Sequence, residues 1–123
     1  MKSFDEQLVH LVREAMAEDI GDGDHSTLSS IPADAVGKAV LKIKEEGVLA
    51  GVSVAEKIFR IQQSNIKFTP FKKDGDQMQF GETAFEVEAL VHTILQCERI
   101  VLNCMQRMSG IATLTSMYTN KLI

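Results

Sequence analysis

"VGKAVLKIKEEGVLAG", residues 36–51, decides the fold. In its first part Ala39, Leu41 and Ile43 alternate with Lys38, Lys42 and Lys44, the period of a strand with one buried and one wet face. "GVLAG" then reads as a second, short apolar strand between Gly47 and Gly51. Two strands joined only through Gly47 and its neighbours cannot be parallel, because a parallel pair needs a crossover of about a dozen residues or more. The expectation is an α+β fold and not a doubly wound sheet.

Upstream, Phe4, Leu8, Leu11, Val12, Ala15 and Met16 recur at helical spacing, which predicts an amphipathic helix from Phe4 to Asp19. Ser3 with Glu6 forms a candidate capping box, and Gly21 and Gly23 stop the helix. Downstream, "SVAEKIFRIQQSN" (53–65) returns to helical spacing, with Ser53 as cap, Glu56 three residues on and Asn65 as stop. "IKFTPF" (66–71) reads as a strand that Pro70 confines to an edge or a bulge, since proline cannot donate to the ladder. Asp74-Gly75 and Gly81 mark turns, and "TAFEVEAL" (83–90) alternates Phe85, Val87 and Ala89 with Glu86 and Glu88.

The segment "HTILQCERIVLNCMQRMSG" (92–110) carries Ile94, Val101, Met105 and Met108 on one helical face, with Leu95 and Leu102 beside it. Arg99, Asn103 and Arg107 form its polar side. A further helix, "IATLTSMYTNKLI", is expected after Gly110; it reaches Ile123 with no stop signal, as though the chain were cut within an element.

A length of 123 residues, 45% hydrophobic and 24% charged, suits one globular domain. No stretch approaches the ~20 apolar residues of a membrane span, and "MKSFDEQLVHLVREA" has acids where a signal peptide is apolar, so the chain reads as cytoplasmic and not membrane-bound. A net charge of −4, one tyrosine and no tryptophan disfavour nucleic-acid binding. Cys97 and Cys104 lie roughly 10 Å apart along one helix, beyond disulfide reach, and read as reduced packing residues.

The densest polar stretch is "EDIGDGDHSTLSSIP" (18–32). An EF-hand loop starting at Asp19 would put glycines at its third and fifth positions and Ser30 where a bidentate glutamate is needed. Nothing fixes Asp22, Asp24 and His25 on one face for a transition metal. Aspartates that bond the backbone two residues on, with glycines between them, make a tight connection instead, and His25 reads as a turn residue. The expectation is no metal site. With no G-x-S-x-G, Walker A or C-x-x-C pattern, no self-contained catalytic group is visible, and Met105, Met108 and Met117 read as core filling. Taken alone, Arg99 and Arg107 read as solvated.

"EDIGDGDHST", "GVLAG" leading into "VAEKIF", "DGDQMQFGE" and above all "ERIVLNCMQRMSGIATLT" stand in the order and spacing of the quinolinate phosphoribosyltransferases, which the chain resembles over nearly its whole length. The resemblance implies an N-terminal domain of the α/β-hammerhead type over 1–109, serving substrate capping and dimerisation. Residues 110–123 would then be the first helix leading into an α/β barrel that the sequence lacks. It also implies a chemistry, transfer of phosphoribose from phosphoribosyl pyrophosphate to the ring nitrogen of quinolinate. Nicotinate mononucleotide, pyrophosphate and CO2 result, for NAD synthesis, with Mg2+ accompanying the phosphoribosyl donor in the complete enzyme and no cofactor bound by this segment.

The family's arginine of the "E-R-T" motif falls on Arg99, which the resemblance assigns to a carboxylate of quinolinate in the partner's barrel, across a homodimer or higher homo-oligomer. Ile100 replaces the usual threonine there, and Ser26 replaces another. The segment alone is expected to be inactive. A segment of the related nicotinate phosphoribosyltransferase, or a free-standing interaction module without chemistry, is the alternative.

Overall fold

The computed structural model describes residues 6, 7, 9–11, 13, 14 and 30–122, with side chains in the last helix described as far as 117. The described positions between 6 and 14 are helical, as the spacing predicts. The Ser3 cap, the Gly21 and Gly23 stop, Ser26 and the whole "GDGDHST" connection lie outside the described residues.

From residue 36 onward the order is β1 (Val36–Lys42), β2 (Gly47–Val48), α1 (Val52–Gln62), β3 (Lys67–Pro70), β4 (Gln77–Met78), β5 (Thr83–Leu90) and α2 (Val91–Leu122). All pairings are antiparallel. β5 is the middle strand of a three-stranded sheet between β1 and β3, and β2 pairs with β4 in a separate two-stranded sheet. The α+β expectation holds.

β1 and β2 do not pair with each other. Gly47, at φ 148°, sends the chain out of the first sheet, and the partners of both strands come from later in the sequence. Pro70 ends β3, which has β5 on one side only, so its missing N–H leaves no ladder bond unmade. Gly75 and Gly81 both take positive φ at the two expected turns.

One face of the larger sheet is apolar and both helices cover it. Register places Ala39 opposite Val87 and Leu41 opposite Phe85, with Phe68 flanking Val87. Phe59 from α1 meets Phe85 edge-on with centroids 6.2 Å apart, and Phe68 stacks on Phe85 at 4.7 Å. Ala55, Ile58 and Phe59 from α1 join Cys97, Ile100, Val101 and Met105 from α2 in the same buried cluster. On the other face Lys38 pairs with Glu86 at 2.7 Å and Glu88 at 3.3 Å, which explains the charged half of the alternation.

α1 is capped differently from the expectation. Its N-cap is Gly51 at φ 96°, with no side-chain bond of its own, and Ser53 lies inside the first turn. Asp74, from the distant turn, supplies the cap: its carboxylate accepts from Val52 N at 2.7 Å, more weakly from Ser53 N at 3.4 Å, and from Ser53 Oγ at 2.9 Å. Glu56 faces down the helix and pairs with Arg60 at 2.9 Å. Removing a carboxylate cap costs about 0.5–2 kcal/mol. Asp74→Ala is therefore expected to lower the melting temperature by several degrees, and Ser53→Ala, which leaves both backbone contacts, by clearly less. Equal losses in thermal melts would rule out Asp74 as the cap.

The two-stranded sheet is sealed by side chains at both edges. On one side Val48 N donates to Thr113 Oγ1 at 3.0 Å, while Ala50 N donates to Ser109 Oγ at 2.9 Å and Ser109 Oγ donates back to Ala50 O at 3.0 Å. On the other, Lys72 Nζ donates to Gln77 O at 3.1 Å and pairs at 2.9 Å with Glu82, whose carboxylate also accepts from Gln79 N. Sealing β2 requires α2 to pass Gly110 without a break, so one helix runs where two were expected.

Candidate substrate-binding face

α2 carries Arg99, the one residue for which the family resemblance implies a substrate contact, and its start is held from three directions. Leu90 N donates to Gln63 Oε1 at 3.0 Å, Val91 N donates to Ala35 O at 2.8 Å, and a ring nitrogen of His92 lies 2.8 Å from Ile31 O. Gly37 lets the helix cross β1 closely, since a Cβ there would lie 3.0 Å from Val91 Cγ2. Gln62 Nε2 donates to Gln96 Oε1 at 2.7 Å and ties α1 to the second turn of α2.

The buried side of α2 consists of Thr93, Cys97, Ile100, Val101, Met105 and Ser109. This differs from the expected stripe. Val101 and Met105 are in it, Ile94 is partly buried, and Met108 and Leu95 are exposed. Ile100 packs into the core, so the threonine-to-isoleucine departure is absorbed as apolar contact. Burial pushes the Cys97 thiol up to about 12, and Cys97 and Cys104 are both free, matching their reading as packing residues.

Arg99 sits on the opposite side, exposed, in the turn that contributes buried Cys97 and Ile100. Asn103 and Arg107 follow at one-turn intervals and are exposed as well. Arg99 thus belongs to the exposed side of a helix whose back packs into the core. That geometry suits a planar, bidentate grip on an incoming carboxylate.

An open cleft of about 360 Å3 lies farther along α2, between Glu46, Gly47, Val48, Gln77, Met78 and Gln79 on one side and Thr113, Ser116 and Met117 on the other. Thr113 is about 21 Å beyond Arg99 at the helical rise, so the cleft is separate from the arginine. Among the described residues no group of three or more histidine, cysteine, aspartate or glutamate side chains could hold a metal ion. No helix of the described residues is long and apolar enough to cross a membrane.

Ser109 and Thr113 carry no assignment in the sequence reading, yet they fasten the two-stranded sheet to α2. Two hydroxyls at i and i+4 on the buried side of an apolar helix were the available signal.

Fold and face together define an accessory α+β domain that offers an arginine from an anchored helix. Residues 24–109 match the family described as quinolinate phosphoribosyl transferase, N-terminal domain, and the chain belongs to that family. The chloroplastic carboxylating nicotinate-nucleotide pyrophosphorylase of Oryza sativa subsp. japonica is 42% identical over 106 residues, 85% of this chain and 29% of that protein. The decarboxylating quinolinate phosphoribosyltransferase 1b of Nicotiana tabacum is 42% identical over 85% of this chain and 30% of its own length. Among solved structures, NadC from Streptococcus pyogenes superposes with a TM-score of 0.85 at 32% identity, covering 98% of this chain and 43% of that one. The chain spans about a third of the length of these curated relatives.

Proposed function

We propose that this chain forms the N-terminal part of an enzyme that transfers phosphoribose from phosphoribosyl pyrophosphate to quinolinate, giving nicotinate mononucleotide, pyrophosphate and CO2 for NAD synthesis. Arg99 binds a carboxylate of quinolinate in a neighbouring subunit's barrel, within a cytoplasmic homo-oligomer. The observation that carries this reading is the position of Arg99, inside the family match and on the outward face of a helix anchored by Cys97, Ile100 and Val101.

Two charge-assisted hydrogen bonds from one guanidinium fix the plane of an aromatic carboxylate, and with it the direction in which the ring nitrogen faces the sugar carbon it attacks. As that N–C bond forms, the bond from C1 to pyrophosphate breaks. The carboxyl group beside the nitrogen then leaves as CO2, its electron pair stays on the ring carbon, and that carbon takes up a proton. Stabilising this charge movement calls for positioned cations and carboxylates, and the chain spans about a third of the length of the curated relatives it matches.

The 123-residue chain is accordingly expected to produce no nicotinate mononucleotide from quinolinate, phosphoribosyl pyrophosphate and Mg2+. A chimaera joining residues 1–122 to the remainder of the Streptococcus pyogenes protein is expected to produce it. Turnover by the chain alone, or a folded chimaera that binds phosphoribosyl pyrophosphate but never turns over quinolinate, would overturn the reading.

A further inference from the structure

The core side of α2 is a ridge of buried or half-buried residues spaced by four: Cys97, Val101, Met105 and Ser109. Arg99, Asn103 and Arg107 form a parallel ridge displaced from it by two residues, about 200° around the helix, so all three stand opposite the core. Each of the three is exposed. The charged residues among the described side chains of α2 are Glu98, Arg99 and Arg107, so this ridge gathers two cations on a chain whose net charge is −4. The carboxylate proposed above occupies Arg99 alone.

Arg107 is not committed within the fold. Among the described residues it joins no ion pair or hydrogen bond, whereas Arg60, the exposed arginine of α1, is tied to both Glu56 and the Ser64 carbonyl. Its distance from Arg99 limits what it can share with that residue. The two lie ~12 Å apart along the axis at the helical rise. Side chains on a helix lean the same way, toward its N-terminus, so the spacing of the two heads follows that of their Cα atoms. Carboxylates on adjacent ring atoms are far closer together than this, so one quinolinate molecule does not span both arginines. The reacting pair of substrates does. The entering ring nitrogen and the leaving pyrophosphate stand on opposite sides of the sugar carbon, and with the reacting atoms about 3 Å apart the reach from a ring carboxylate to the far phosphate is on the order of 10 Å.

We infer that Arg107 binds the pyrophosphate group of the phosphoribosyl donor in the neighbouring subunit's site where Arg99 holds quinolinate, with uncharged Asn103 between them. The inference rests on the transferase reading and extends it to the second substrate. A phosphate group also asks less of its cation than a planar carboxylate does, because a point charge can serve it.

The test separates the two substrates. In the chimaera, Arg107→Gln is expected to raise the KM for phosphoribosyl pyrophosphate and the inhibition constant of inorganic pyrophosphate roughly 10- to 100-fold, and to move the KM for quinolinate by less than about twofold. Arg99→Ala is expected to show the reverse split. Arg107→Lys is expected to recover most of the donor binding, with an unchanged circular dichroism spectrum in both variants because the position is exposed. Lys73→Gln, which removes an exposed cation from the β3–β4 turn, is expected to change neither constant. A folded chimaera with native α2 that never turns over quinolinate would remove the transferase reading and this inference together. An active chimaera in which Arg107→Gln leaves pyrophosphate inhibition unchanged, raises both KM values alike or behaves as Lys73→Gln does, or in which Arg107→Lys recovers nothing, would overturn this inference alone.

Discussion

In the chimaera, Arg99→Ala is expected to lower kcat/KM for quinolinate by roughly 30-fold to several thousandfold, because losing one partner of a desolvated charge pair costs ~2 to 5 kcal/mol. The fold should survive the change, since Arg99 is exposed and the core side of its turn is untouched. Lysine is expected to restore little. Its ammonium is a point charge and cannot reproduce the two parallel bonds of a guanidinium. Mixing this variant with one whose own barrel is disabled but whose Arg99 is intact separates action across subunits from action within one. Recovered activity in the mixture, from dimers with one complete site, is the expected result. Unchanged kinetics in Arg99→Ala would remove the arginine from the site, and confirmed heterodimers without activity would confine it to its own subunit.

The largest expected loss of stability comes from a residue with no side chain. Gly47 holds φ 148°, and a Cβ there would stand 2.5 Å from Thr113 Oγ1. That hydroxyl cannot simply swing aside, because it accepts from Val48 N at 3.0 Å and donates to Ser109 O at 2.7 Å. Backbone strain of about 1–3 kcal/mol and a broken hydrogen bond of about 1 kcal/mol combine. Gly47→Ala is thus expected to cost about 2–4 kcal/mol and to lower the melting temperature by roughly 10–25 °C. Thr113→Ala in the same chain relieves the collision but not the strain, so the double variant should lose less than the sum of the singles. A cost below about 0.5 kcal/mol for Gly47→Ala would mean that β2 and α2 do not approach this closely.

What the sequence reveals here follows the range of the interactions. The alternation in β1 and β5, the edge position of Pro70 and the turns at Gly75 and Gly81 depend on near neighbours, and each is found where local pattern puts it. The cap on α1 differs from the expected Ser53 because its acceptor, Asp74, is 22 residues from Val52 in sequence. The break expected at Gly110 fails for a similar reason, since contacts from Ser109 and Thr113 to β2 carry the helix through. The buried stripe of α2 drifts from the expected one because Thr93 and Ser109 are polar by type yet buried by position. For the candidate site, periodicity alone places Arg99 on the polar side of an amphipathic helix, where the structure also has it. The role proposed for it as a carboxylate ligand rests on motif resemblance and on no local signal.

The hydroxyl seal on β2 has a consequence for the order in which the chain is made. Ser109 and Thr113 lie 59 and 65 residues beyond the backbone groups they satisfy. While a ribosome is still adding the second half of the chain, Val48 and Ala50 have no such partners, and the strand edge they form is open to pairing with any other extended chain. The vulnerable interval closes only when the last third has emerged and α2 has docked. Synthesis halted before Thr113 would release a polypeptide with most of its apolar core and an open template for aggregation, which makes the end of translation, and not the first collapse, the point at which this chain becomes safe from its neighbours.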